Sequence, residues 1–139
     1  VAYWLLKTEP TVYSFSDLER EKKTIWDGVA SNPALKHLRA MKKGDEVFIY
    51  HTGDETAIVG IAEVAGDPYQ DPKSDDRKFT VIDVKPIRRL DHPVSLAVIK
   101  KDRRFMSFDL IRISRLSAMP VSPGIWEAVL EISHQPFAR

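Results

Sequence analysis

The chain has 139 residues, 43% of them apolar and 29% charged, which is enough to bury one ordinary globular core. It has no cysteine, and this excludes disulfides, thiolate-bound metals and a cysteine nucleophile. With 21 basic residues against 20 acidic ones, net charge does not draw it to nucleic acid, so any such attraction needs a local cationic patch.

One domain over residues 1–139 is expected. No apolar run approaches the ~20 residues that cross a bilayer, and the stretch before Glu9-Pro10 is too short for a signal peptide. The absence of cysteine fits a reducing, cytoplasmic compartment, which is the expectation, with a nuclear one left open in a eukaryote. Nine prolines against six glycines point to stiff loops.

In chain order, residues 2–7 (AYWLLK) have the aromatic and branched content of a strand, which Glu9-Pro10 ends. A short helix over 15–22 has two competing caps, Ser14 with Asp17 or Ser16 with Glu19. Ile25-Trp26 is a brief extended piece. Asn32-Pro33 opens the next helix, the Asn accepting from a free N–H and the Pro lacking one. Leu35, Leu38 and Met41 form its apolar stripe, Lys36, Arg39 and Lys42 fall on other faces, and Gly44 reads as the left-handed stop. Residues 47–50 read as a strand buried on both faces, ending at His51; a turn over 52–55 leads to a return strand over 58–64. Gly60 within it marks a bulge or a close backbone approach.

Residues 66–78 form a long polar loop carrying Tyr69. A strand over 79–90 follows, with Pro86 marking an edge or bulge, and Ser95 caps a helix over 96–101. Residues 105–115 read equally as a helical turn or an extended segment. A last strand spans 116–121. Ser122-Pro123 then opens a closing helix with Ile125, Trp126, Val129 and Leu130 inward, and a loosely held tail is expected over 133–139. Five or six strands with three or four short helices are too irregular for a doubly wound sheet. An α+β fold is expected instead, a small curled mixed sheet or partial barrel flanked by short helices.

No chemistry of bond-breaking stands out. The four histidines, His37, His51, His92 and His134, show no metal spacing, and no phosphate loop, nucleophile elbow or dinucleotide fingerprint is present. Neither cofactor nor metal is expected. Lys7 and Glu9 fall on one face of the first strand, and a solvated strand end explains them as well as a site does. The aromatics Trp4, Trp26 and Tyr50 are rigid faces on which a base stacks for ~1–3 kcal/mol. Trp26 stands out among them because the Asp27-Gly28 turn follows it. Lys36, Arg39 and Lys42 are candidate phosphate contacts, although a solvated helix face accounts for them equally.

Several runs carry a family resemblance. Residues 3–10 (YWLLKTEP), 13–18 (YSFSDL), 26–29 (WDGV), 38–45 (LRAMKKGD), 47–51, 58–64, 81–85, 114–117 (SRLS) and Pro120-Val121 are similar to the EVE domain. More distantly, the order of Lys7-Thr8, Trp26, residues 47–52 and residues 59–62 resembles the YTH domain. The resemblance implies a PUA-like fold and a non-enzymatic module that receives a modified base, a modified cytosine in DNA or a modified nucleotide in RNA. It implies Trp26 as a cage wall, Lys7 and Ser14 at the mouth, Tyr50 and His51 as floor or edge, and Tyr69 as a further wall. Where EVE proteins commonly carry Arg-Asn, this chain has Ala30-Ser31; Asn32 then substitutes in part for the missing forked donor. On this reading the chain is a monomer whose partner is modified DNA or RNA, with no membrane. Trp26→Ala abolishes binding but spares folding. The rivals are a hydrolase of modified nucleosides, as in ASCH domains, and a small-molecule or protein-interaction module.

Overall fold

The strand expected at residues 2–7 runs one residue later as β1 (Tyr3–Thr8), parallel to β3 (Glu46–His51), with Leu5 opposite Phe48 and Leu6 opposite Ile49. The computed structural model describes residues 1–135. Both strands lie inside the sheet with a neighbour on each edge, and the side chains at their centres are buried on both faces. α1 (Phe15–Glu21) settles the competing caps: Ser14 Oγ accepts from Asp17 N–H while the Asp17 carboxylate accepts from Ser14 N–H. β2 (Thr24–Trp26) is the brief extended piece.

α2 (Asn32–Ala40) is capped one residue earlier than expected. Ser31 Oγ accepts from Ala34 N–H at 3.4 Å, and Asn32 is already helical and exposed. The helix closes at Met41, which is extended, so the left-handed Gly44 (φ +93°) serves the following turn and not the helix end. β4 (Ala57–Val64) returns antiparallel to β3, as a hairpin. Gly60 answers the expectation of a close approach, because a Cβ there would sit 2.6 Å from the Phe15 ring. That contact seats α1 on the sheet.

The polar loop contains one two-residue strand, β5 (Tyr69–Gln70), and β6 (Thr80–Ser95) outruns the expected strand because Pro86 falls at a register shift opposite Ala62. A proline at a bulge removes no ladder bond. α3 (Leu96–Lys101) starts at Ser95 as expected. The undecided segment 105–115 resolves into a 3-10 turn over Arg103–Phe105 and α4 (Asp109–Arg112), with Phe105, Phe108 and Leu110 buried. β7 (Ala118–Val121) and α5 (Pro123–Ser133) close the fold. Ser133, expected in the loose tail, instead ends α5: it is buried and its hydroxyl donates to His92 C=O at 2.9 Å, while the rest of that expectation, over 136–139, lies outside the described residues.

The strand order is β2-β6-β4-β3-β1-β7, with β5 added to β6. One helix, α2, packs against β6 and β7 together, so the two ends of the sheet are drawn toward each other and the sheet curls into a half-barrel. This is the curled mixed sheet flanked by short helices that the PUA-like resemblance implies. Trp126 anchors the α5 side, stacked on Phe48 at 3.7 Å and on Tyr3 at 4.4 Å. Removing such a ring typically costs ~3–5 kcal/mol. Among the described residues no helix is long and apolar enough to cross a membrane.

Candidate functional site

A cleft of about 450 Å³ opens where the far ends of the curled sheet approach. Its walls are Lys7 and Thr8 at the end of β1, Val12 and Tyr13 before α1, Glu21 at the end of α1, and Thr24 to Gly28 on and after β2. The volume falls within the ~300–1,000 Å³ usual for small-ligand sites.

Local structure fixes the walls. Thr8 Oγ1 donates to Tyr13 C=O at 2.6 Å, and the Val12 and Tyr13 N–H groups both donate to Glu9 C=O at 2.9 Å. The five-residue turn is thus tied to the end of β1, and the capping box at Ser14 turns the chain immediately after Tyr13. The Tyr13 ring then stands at 89° to Trp26, with centroids 6.1 Å apart. This edge-to-face corner has no room for a third ring between its members.

The polar groups have definite partners. The Tyr13 hydroxyl donates to Glu21 Oε1 at 2.7 Å. Burial first, then the hydrogen bond to Glu21 and the charges of Glu21 and Asp17, outweigh the opposing Thr24 hydroxyl and push its pKa up to about 12, so it remains a donor at neutral pH. Lys7 Nζ donates to Ser114 C=O at 2.8 Å and lies 5.8 Å over the Tyr50 ring. Burial lowers its pKa from the ordinary lysine value. Asp27 stands 3.9 Å from Lys73.

Of the residues expected to form a site, Trp26 and Lys7 border this cleft. Tyr50 does not: it is 3% exposed, part of the sheet beneath Lys7, and Tyr13 occupies the aromatic place assigned to it. Ser14 is occupied as the α1 cap. His51 faces α1, where its Nε2 accepts from Phe15 N–H at 3.1 Å, and it borders a separate cavity of about 310 Å³ with Glu9, Asp54 and Glu55. Trp4 belongs to the core, its indole N–H held by Asp45. Tyr69 pairs with β6 and donates to Asp83 at 2.7 Å. Asn32 and Lys36 are exposed on α2, with Lys42 in the turn after it. Arg39 donates to Lys78 C=O at 3.1 Å. None of these lines the cleft.

Sequence reading missed Tyr13, Glu21, Thr24 and Asp27 as wall residues. One signal was present for Glu21, a carboxylate in the last turn of a helix, where the macrodipole opposes it.

Solved structures match along almost the whole chain. The NMR structure of Rpa0253 from Rhodopseudomonas palustris is 37% identical with a TM-score of 0.92, covering 98% of this chain and 95% of its own. The crystal structure of human THYN1 protein in complex with 5-methylcytosine-containing DNA is 27% identical with a TM-score of 0.90, covering 97% of this chain and 99% of its own. Thymocyte nuclear protein 1 of Rattus norvegicus is 30% identical over 94% of this chain and 73% of its own length. The likeness to YTH domains is one of fold. The YTH domain of Zygosaccharomyces rouxii MRB1 protein, in complex with N6-methyladenosine RNA, gives a TM-score of 0.58 at 15% identity, covering 95% of this chain and 86% of its own. The names of the two complexes state binding to methylated nucleic acid. The EVE domain model matches residues 2–132, and the chain belongs to the EVE domain family.

Proposed function

We propose that this chain is a non-enzymatic reader that takes a modified base, in the first instance a modified cytosine in DNA, against Trp26 and Tyr13. The observation that carries the reading is the right-angled aromatic corner in an open cleft, in a family whose human member is solved with 5-methylcytosine-containing DNA. Stacking on an aromatic face contributes ~1–3 kcal/mol per base. A buried methyl adds only ~0.8 kcal/mol, so discrimination must come from shape and from polar groups that a wrong base leaves unpaired. The Lys7 ammonium, with further N–H groups beyond the one held by Ser114, supplies donors for a phosphate or a base carbonyl at the mouth.

The test is a titration of tryptophan fluorescence with single strands bearing 5-methylcytosine, N6-methyladenine or no modification, as DNA and as RNA. Quenching by the 5-methylcytosine DNA strand, weakening as salt rises, is the expected result. Tighter binding of the N6-methyladenosine RNA would move the ligand to RNA, and equal binding of modified and plain strands would overturn the reading. Trp26→Phe keeps a ring and weakens binding. Trp26→Ala is a poorer probe than the sequence implied, because Trp26 is only 7% exposed and belongs to the core, so its truncation also costs ~3–5 kcal/mol of stability.

A further inference from the structure

We propose that Glu21 decides which bases the cleft admits: its carboxylate accepts a hydrogen bond from an exocyclic amino group, favouring cytosine- and adenine-type bases over thymine and uracil. The proposal rests on the base-binding reading above and adds the residue that sets its selectivity.

The geometry gives the cleft an acceptor side. Tyr13 has one hydroxyl proton, and it is already directed to Glu21 Oε1 at 2.7 Å. The Tyr13 oxygen also receives the Thr24 hydroxyl, so the acceptor left open is Glu21 Oε2. The neighbouring Thr8 hydroxyl is likewise committed, to Tyr13 C=O at 2.6 Å. Among the described residues Glu21 forms no ion pair, although it lies at the rim of a cleft beside Trp26. A base lodged against the Trp26–Tyr13 corner has Glu21 Oε2 on the same wall within the cleft. An amino N–H satisfies this oxygen, as carboxylates accept from cytosine N4 in the grooves of DNA. The 4-oxo group of thymine or uracil would set an oxygen against a carboxylate.

A second observation concerns the backbone. Glu21 is the last residue of α1, where its charge faces the negative end of the helix dipole, and Lys22 follows with φ +67°, a left-handed conformation without glycine. Two adjacent residues therefore break local preference at the edge of the cleft. Such conflicts gather where function and not folding sets the residue. The phenol proton is firmly held, its pKa raised to about 12 first by burial, so Tyr13 keeps orienting the carboxylate across the physiological range.

The decisive comparison uses 5-methylcytosine against thymine at one position of the same single strand. The two bases share the 5-methyl group and the ring outline; they differ in the amino or oxo group at position 4 and in the proton at N3. Wild-type protein is expected to bind the 5-methylcytosine strand about tenfold to a hundredfold more tightly, the range for a charge-assisted hydrogen bond. Glu21→Gln, whose amide also donates, should shrink that ratio to within a few-fold. Tyr13→Phe should shrink it in part while quenching amplitude persists. Matching melting temperatures confirm that the variants are folded. A ratio unmoved by Glu21→Gln, with Trp26→Phe still weakening the 5-methylcytosine strand, overturns the role of Glu21 and leaves the cleft standing. If neither strand binds, or if Trp26→Phe binds like wild type, the base-binding reading falls and the proposal with it.

Discussion

The indole Nε1 of Trp4 donates to Oδ2 of Asp45 at 2.9 Å, joining the first strand to the turn before the third. The same carboxylate accepts from Lys42 N–H at 3.0 Å and from Ala2 N–H at 3.1 Å, and Asp45 is 6% exposed. Removing it leaves three donors without their partner. Asp45→Ala should lower unfolding free energy by about 3 kcal/mol in urea titration. Trp4→Phe should cost less and leave oligonucleotide affinity at the wild-type value; a loss of affinity in a folded Trp4→Phe protein would return Trp4 to the binding site.

Gly60 is the only residue type that fits where α1 meets β4. A methyl group there would lie 2.6 Å from the fully buried Phe15 ring, so one of the two must shift. Gly60→Ala is expected to destabilise by about 2 kcal/mol or more. Combining it with Phe15→Leu should recover part of that loss, as measured by a double-mutant cycle in denaturant.

Lys22 makes the opposite prediction. Its φ of +67° suits glycine, so Lys22→Gly should raise stability by about 1 kcal/mol, read as an increase in the denaturant midpoint at unchanged slope. A fall in the midpoint would show that the lysine side chain contributes more to the fold than its backbone conformation costs.

Stability should also decline on mild acidification. Burial holds the pKa of His51 below the ordinary histidine value, with the Arg89 charge acting the same way and Glu9 opposing. Its Nε2 lone pair is occupied as the acceptor for Phe15 N–H. Burial lowers His37 too. The folded protein resists protonation of both rings, whereas the unfolded chain takes up protons near pH ~6.5. This stability is therefore complete above that value and is lost as pH falls through the lower folded pKa. Urea titrations at pH 7.5, 6.5 and 5.5 should show the decline. His51→Gln should flatten it, and an undiminished slope in that variant would assign the effect to other groups.

Legibility in the sequence followed the range of the forces involved. Short-range signals read correctly: the serine caps at Ser95 and Ser122, the 52–55 turn, and the buried 47–50 strand each depend on neighbours within a few residues. Two caps left open, Ser14 and Ser16, were separated only by the structure, and the cap read at Asn32 lies one residue earlier, at Ser31. The cleft wall was harder, because it is assembled by the curl of the sheet. Trp26, singled out from its turn, does border the cleft, but its neighbour was read as Tyr50, 24 positions on in a buried strand, when the ring beside it is Tyr13. Nothing in the periodicity of either segment encodes that edge-to-face meeting. Glu21 was overlooked for a related reason: one acidic residue on a short helix reads as solvated until the opposing rim is in view.

The placement of the cleft has a mechanical consequence. β1 and β2 are separated by three other strands in the sheet, yet both furnish its lips. An occupant therefore acts as a clasp across the gap of an unclosed cylinder. Amide protons on Thr24–Trp26, and the Lys7 amide donated to Ser117, should exchange with solvent more slowly once a base is lodged there.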